Sequence, residues 1–180
     1  TPNQRALHLE RRLFHMAMGS IFPVVALLWQ GDLFLVVLFA TIVVLVVGDT
    51  VRLLAQPVNR LFQRWARRLL RPGEERRLTG ASYVVLGTLA AFTLFEREVA
   101  IVAVLFLAIG DPVAAMTGVR FRRGRAFGKS AWGSMAMVAV SLGVVGALHA
   151  TNAIDFRWPL AVGAVTAALV EIFPCRWTIT

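Results

Sequence analysis

The sequence predicts an all-α, polytopic membrane protein with about six transmembrane helices and an amphipathic helix lying on the cytoplasmic surface. Three observations carry that expectation. Of 180 residues, 58% are hydrophobic and only 16% are charged, with a mean hydropathy of +0.70. Six apolar segments approach the ~20 residues that cross ~30 Å of hydrocarbon. The basic residues crowd into alternate connections between those segments. A soluble domain of this size would leave much of its apolar surface in water. The chain reads as a single membrane-embedded domain over residues 1–180, with no cleavable signal peptide before the first apolar run.

The expected spans run from Leu13 to Trp29, Leu33 to Gly48, Leu78 to Phe95, Val99 to Val119, Ala131 to Ala150 and Trp158 to Pro174. Gly31-Asp32, Glu96-Arg97-Glu98 and Thr151 to Arg157 make tight turns on one side. The other side receives the N-terminus (Arg5, Arg11, Arg12), the 52–77 connection with eight Arg, and the 120–129 connection with four Arg and Lys129. These hold 16 of the 19 Lys and Arg residues. The positive-inside rule therefore makes both termini and both long loops cytoplasmic. A net charge of +9 in a soluble chain would suggest nucleic acid. In loops of a membrane protein it orients the spans, so nucleic acid is not an expected partner. The lone Cys175 excludes an internal disulfide and leaves too little thiol for a structural zinc site.

Residues 57–71 carry a helical pattern of their own. Val58, Leu61, Phe62, Trp65 and Leu69 recur at helical spacing, with Arg60, Arg64, Arg67, Arg68 and Arg71 between them. Pro57 suits a first turn, and Pro72-Gly73 ends the run. This is either an amphipathic helix drawn to anionic headgroups on the inner leaflet or a plain topology anchor.

Ionisable groups inside membrane helices are costly, so each is a candidate for function. Asp111 lies 12 residues into the fourth span and Glu171 lies 13 into the sixth. At ~1.5 Å per residue both carboxylates sit roughly 18–20 Å from the outer face. Two carboxylates at one depth can share a Mg²⁺ if their helices are neighbours. Pro112 removes a backbone hydrogen bond and frees a carbonyl beside Asp111. Asp111, Ala115 and Gly118 then make a narrow face for close helix approach.

Gly128-Lys129-Ser130 leads into the fifth span, where free backbone N–H groups favour an anion. Lys129 adds a point charge, and Arg120, Arg122, Arg123 and Arg125 offer forked donors to phosphate. Gly133 and Ser134 follow in the first turn. Gly124 to Ser130 is not a P-loop, because three residues separate its glycines where that motif has four. Weaker polar features gather on the same side: Arg11, Arg12 and His15 in the first span, Asp49 and Arg52 ending the second, and Glu74, Glu75, Thr79, Gly80 and Ser82 opening the third. A basic, hydroxyl-rich anion site beside buried carboxylates suits a nucleotide phosphate with Mg²⁺, and lipid-facing walls suit a second substrate dissolved in the bilayer.

These residues resemble the CTP-dependent lipid kinases, the family of dolichol kinase, phytol kinase and the CTP-using diacylglycerol kinases, over most of the chain. Arg11-Arg12-Leu13-Phe14-His15 is similar to that family's Arg-Lys-x-x-His start, and Asp49-x-x-Arg52 and Glu75 with Leu78-Thr79-Gly80-Ala81-Ser82-Tyr83 are similar to later motifs. The most specific stretch is Gly110-Asp111-Pro112-Val-Ala-Ala-x-x-Gly118 followed by Gly128-Lys129-Ser130-x-x-Gly133-Ser134. The resemblance implies that Asp111 and the Lys129–Ser134 stretch form the CTP and metal site, that Mg²⁺ is the cofactor, and that a lipid alcohol is the acceptor. Glu171 matches the family's late acidic position. Members often follow that glutamate with an Asp-Asn pair and another apolar segment, where this chain has Pro174-Cys175-Arg176-Trp177-Thr178. That part of the site is then built differently, or the chain is truncated or altered there. CTP:phosphatidate-type cytidylyltransferases have a similar Gly-Asp…Gly…Lys-Ser…Gly stretch, but their His-Gly-Gly…Asp-Arg ending is absent here. A non-enzymatic lipid- or anion-binding protein or transporter would use the same cluster as an anion site, although no two halves of the chain repeat each other.

Overall fold

A computed structural model describes residues 2–29, 31, 33–66, 70, 73–120, 125–126, 129–155 and 157–172, with the side chains of 2–9, 11, 125–126, 129–130 and 170–172 outside that description. The described chain is helical apart from one antiparallel pair of two-residue strands. It divides into two compact units, Thr1–Ala100 and Ile101–Thr180.

The first unit holds α1 (Pro2–Leu28), α2 (Leu33–Leu54), α3 (Gln56–Ala66) and α4 (Gly80–Leu94). α2 buries Phe34, Leu38, Ile42, Asp49 and Arg52 along one stripe, and α4 buries Ser82, Val85, Thr88 and Phe92. The two stripes face each other in antiparallel sense. Phe34 meets Phe92 edge-on at 4.8 Å at one end, and Asp49 meets Ser82 at the other. Away from that stripe α2 exposes apolar side chains such as Val36, Phe39 and Val44, the surface that hydrocarbon would cover. Five helical threonines satisfy their hydroxyls locally: Thr41, Thr50, Thr88, Thr93 and Thr166 each donate to the carbonyl four residues back at 2.7–2.9 Å.

The second unit continues α5 (Arg97–Leu105) through a π turn, Phe106–Gly110, into α6 (Asp111–Arg120). β1 (Arg125–Ala126) and β2 (Lys129–Ser130) precede α7 (Ala131–Ala150), and α8 (Trp158–Ile172) follows. α7 is the middle layer, packed on α6 and on α8. Ala114, Met137 and Ala168 form a small buried core between them, with Val138 and Ala167 against it.

Three helical stretches are long and apolar enough to cross a membrane: Leu33–Leu54, Arg97–Arg120 and Ala131–Ala150. Shorter apolar helices, Arg12–Leu28, Gly80–Leu94 and Trp158–Leu169, stand at the other three expected positions. The helix ends differ from expectation. α1 begins at Pro2, a residue suited to a first turn, so its polar residues precede the apolar run within one helix. α2 runs to Leu54 because Asp49 and Arg52 satisfy each other inside it. The expected surface helix is described over Gln56–Ala66; residues 67–69 and 71 of the expected 57–71 segment lie outside the described residues. Arg97 is not a solvated turn charge. Its guanidinium donates to the carbonyls of Ala26 and Trp29 and lies 5.6 Å from the Phe34 ring centroid, closing the C-terminal end of α1.

Candidate functional site

Polar residues expected at the helix ends fall into two groups of different character. In the first unit, Asp49, Arg52, Glu74, Glu75, Thr79, Gly80 and Ser82 come together. Asp49 is one turn and a half from the end of α2, so its carboxylate reaches the start of α4. Its Oδ1 accepts from Arg52 Nε at 2.7 Å. Its Oδ2 accepts from the Thr79 backbone N–H (2.7 Å), the Thr79 hydroxyl (3.0 Å) and the Ser82 hydroxyl (2.7 Å). Four donors match the acceptor capacity of a carboxylate.

Arg52 is used as completely. Its Nη1 donates to the Glu74 carbonyl (3.0 Å) and to Asn59 Oδ1 (3.3 Å), and its Nη2 to the Arg77 carbonyl (2.7 Å). The guanidinium carbon lies 4.8 Å from the Phe62 ring centroid. Glu74 Oε1 accepts from the Gly80 N–H at 3.0 Å, close enough that a side chain at Gly80 would meet it. Glu75 Oε2 accepts from the N–H of Gly73, which takes the left-handed φ of +95° that glycine permits. The N–H groups of Thr79 and Gly80 are thus held by two of the chain's own carboxylates. This constellation ties α2, α3 and α4 into one frame, with Asp49 and Arg52 turned inward onto the chain's own groups.

Asp111 is the opposite case. It opens α6 directly after the π turn, is half-buried, and has no hydrogen-bond or ion-pair partner among the described residues. The π turn answers the sequence: Pro112 has no N–H for the carbonyl of Ala108, and the helix absorbs the gap by widening one turn. Buried π turns recur at functional sites, since they aim a side chain away from the regular helical course.

The close-approach face of α6 is Gly110, Ala114 and Gly118, one step round from the expected Asp111, Ala115 and Gly118. A Cβ on Gly110 would stand 3.4 Å from Ser141 Oγ and 3.5 Å from Met137 Cγ. A Cβ on Gly133 would stand 2.8 Å from the Ala114 carbonyl oxygen and 3.6 Å from Gly118 Cα. Gly133 is therefore required where α7 crosses α6, and Ser134 is buried next to it. Gly133→Ala is expected to cost about 1–3 kcal/mol, since a backbone carbonyl cannot yield as a flexible side chain can. Thermal denaturation in detergent checks this against Gly146→Ala, where nothing lies within 4 Å and no loss is expected.

The basic connection makes a tight antiparallel pair, with Arg125 opposite Ser130 and Ala126 opposite Lys129. Lys129 and Ser130 are thus in β2 rather than in the helix, and α7 starts at Ala131, where the expected fifth span begins. β2 lies beside α6 and the start of α7. Arg120 ends α6 and is exposed. Gly128, Arg122 and Arg123 lie outside the described residues, as do the side chains of Arg125, Lys129, Ser130 and Glu171. Glu171 is in the last turn of α8. Arg12 and His15 are half-buried on consecutive turns of α1. Among the described residues no three His, Cys, Asp or Glu side chains converge on one point.

Sequence reasoning missed Asn59 and Phe62 as partners of Arg52, and Ser141. Ser141 is fully buried on α7, and its hydroxyl has no partner among the described residues. Its serine-at-helical-spacing relation to Ser134, on the same face, was the available signal.

No family model, curated protein or solved structure matches this chain.

Proposed function

We propose that this protein transfers the γ-phosphate of CTP to a lipid alcohol dissolved in the membrane, a polyprenol, a phytol-like alcohol or diacylglycerol, at the cytoplasmic face. The observation that carries this reading is the half-buried carboxylate of Asp111, without a partner among the described residues, at the π turn of a membrane-length helix. A carboxylate left without a partner there costs stability, which function would explain. The Lys129-Ser130 strand beside α6 supports it by supplying cationic and hydroxyl groups at the start of α7.

In this reading the six apolar helices all span the bilayer, and the basic connections and both termini are cytoplasmic. The lipid hydroxyl oxygen bonds to the γ-phosphorus as the bond to the bridging β–γ oxygen breaks and CDP leaves. Asp111 takes the hydroxyl proton or holds the cation, and Lys129, Ser130 and Arg125 bind phosphate oxygens. Mg²⁺ usually takes one or two carboxylates and completes its shell with phosphate and water, so Asp111 would serve as its protein donor; Glu171 is on α8, which packs on α7 rather than on α6. When bound, the ion would neutralise phosphate charge.

The test is incubation of the purified protein with CTP labelled at either the γ or the α phosphate, with mixed lipid alcohols and phosphatidate. γ label entering the organic phase is the expected result. Transfer of α label would replace the kinase by a cytidylyltransferase, and transfer of neither label would favour a binding protein or transporter.

A further inference from the structure

We propose that α3 is a docking surface for an anionic lipid leaflet, with Trp65 as its apolar anchor and Arg60 and Arg64 as its headgroup contacts. The helix has three faces. One is pinned to the protein: Phe62 lies under the Arg52 guanidinium, and Asn59 accepts from Arg52 and donates to the Glu75 carbonyl at 2.8 Å. Phe62 is thereby removed from the apolar strip in which the sequence places it.

The second face is Val58, Leu61 and Trp65, spaced as one helical strip and exposed by 43%, 56% and 86%. The third, adjoining it, is Arg60 and Arg64, one turn apart and both exposed. No residue of α3 is buried. A topology anchor needs charge alone. This helix adds an uncovered apolar strip with a tryptophan beside the charge, the arrangement that seats a helix at the headgroup boundary.

Two further features select lipid as the occupant. Only Ala55 separates α3 from α2, a helix of membrane-spanning length and composition, so the strip emerges at the end of a span. Arg52 also grips Asp49 inside α2, so the pinned face holds the strip at a fixed angle to that helix. Pre-set orientation lowers the entropic cost of docking. Each arginine near an anionic surface favours the seated state by about fivefold, from ~1 kcal/mol apiece.

The experiment uses the full chain, one copy per nanodisc, in phosphatidylcholine alone or mixed with phosphatidylserine. Emission from Trp65 is taken as the difference between the wild type and Trp65→Phe, and brominated phosphatidylcholine serves as quencher. Expected are bromolipid quenching of Trp65 in both lipids, stronger with phosphatidylserine, and loss of that increment in Arg60→Gln/Arg64→Gln or in high salt. Solvent-like Trp65 emission untouched by bromolipid would overturn the proposal. So would an unchanged phosphatidylserine increment in the double variant, or protection of Trp65 only when two copies share a disc, which would make a second copy the occupant. None of these readouts depends on phosphoryl transfer.

Discussion

Asp111→Asn is expected to abolish phosphoryl transfer while leaving the fold intact. The carboxylate makes no hydrogen bond or ion pair among the described residues, so replacing it by an amide of the same shape removes no contact to any of them. Stability should stay within ~0.5 kcal/mol of the parent, as for positions outside a packed or bonded network. Activity should fall by about 10²- to 10⁴-fold, the range for losing a positioned base or a charge that stabilises the transition state. Thermal denaturation and the γ-label assay on the same preparation separate the two effects. Full transfer by the asparagine variant would remove Asp111 from the chemistry.

Breaking the Asp49–Arg52 pair is expected to do the reverse. Arg52→Ala leaves a buried carboxylate short of its cation and three acceptors (Asn59 Oδ1 and the Glu74 and Arg77 carbonyls) without their donor. Losing one member of a buried pair costs about 3–5 kcal/mol. Arg52→Lys should recover little, because a single ammonium cannot serve in-plane acceptors on three segments and also lie over Phe62. The measurement is denaturation midpoint, in detergent and in lipid. A variant at Arg52 that keeps the parent's stability but loses transfer would move this pair from the frame into the site.

The helices were legible because apolar runs, turn residues and arginine placement are local signals. The isolation of Asp111 among apolar neighbours was legible for the same reason, and Pro112 announced the irregular turn beside it. The Asp49 constellation was legible only as polar residues on one side. Thr79 and Ser82 stand 30 and 33 residues from Asp49, and no periodicity links a carboxylate to donors that far along the chain. Phe62 was misassigned because helical spacing shows that it shares a side with Val58 and Leu61, not that an arginine from α2 lies over it. Arg97 was read as a turn charge because the carbonyls it closes belong to a helix some seventy residues earlier. The depth of Asp111 came from counting residues; its lack of a partner among the described residues came only with the fold.

The π turn has a consequence for the phase of its helix. Residues four apart drift around an α-helix by about 40° per step, since four residues turn through ~400°. A stripe spaced by four, such as Gly110, Ala114 and Gly118, would leave a straight neighbour after a few steps. The widened turn at Phe106–Gly110 takes in an additional residue and resets the angle at which that stripe begins. Ala114 and Gly118 then fall opposite Gly133, and Asp111, one position on from Gly110, points about 100° round the helix from that stripe. One inserted residue thus clocks two things at once: where two helices touch, and the direction in which Asp111 leaves its helix.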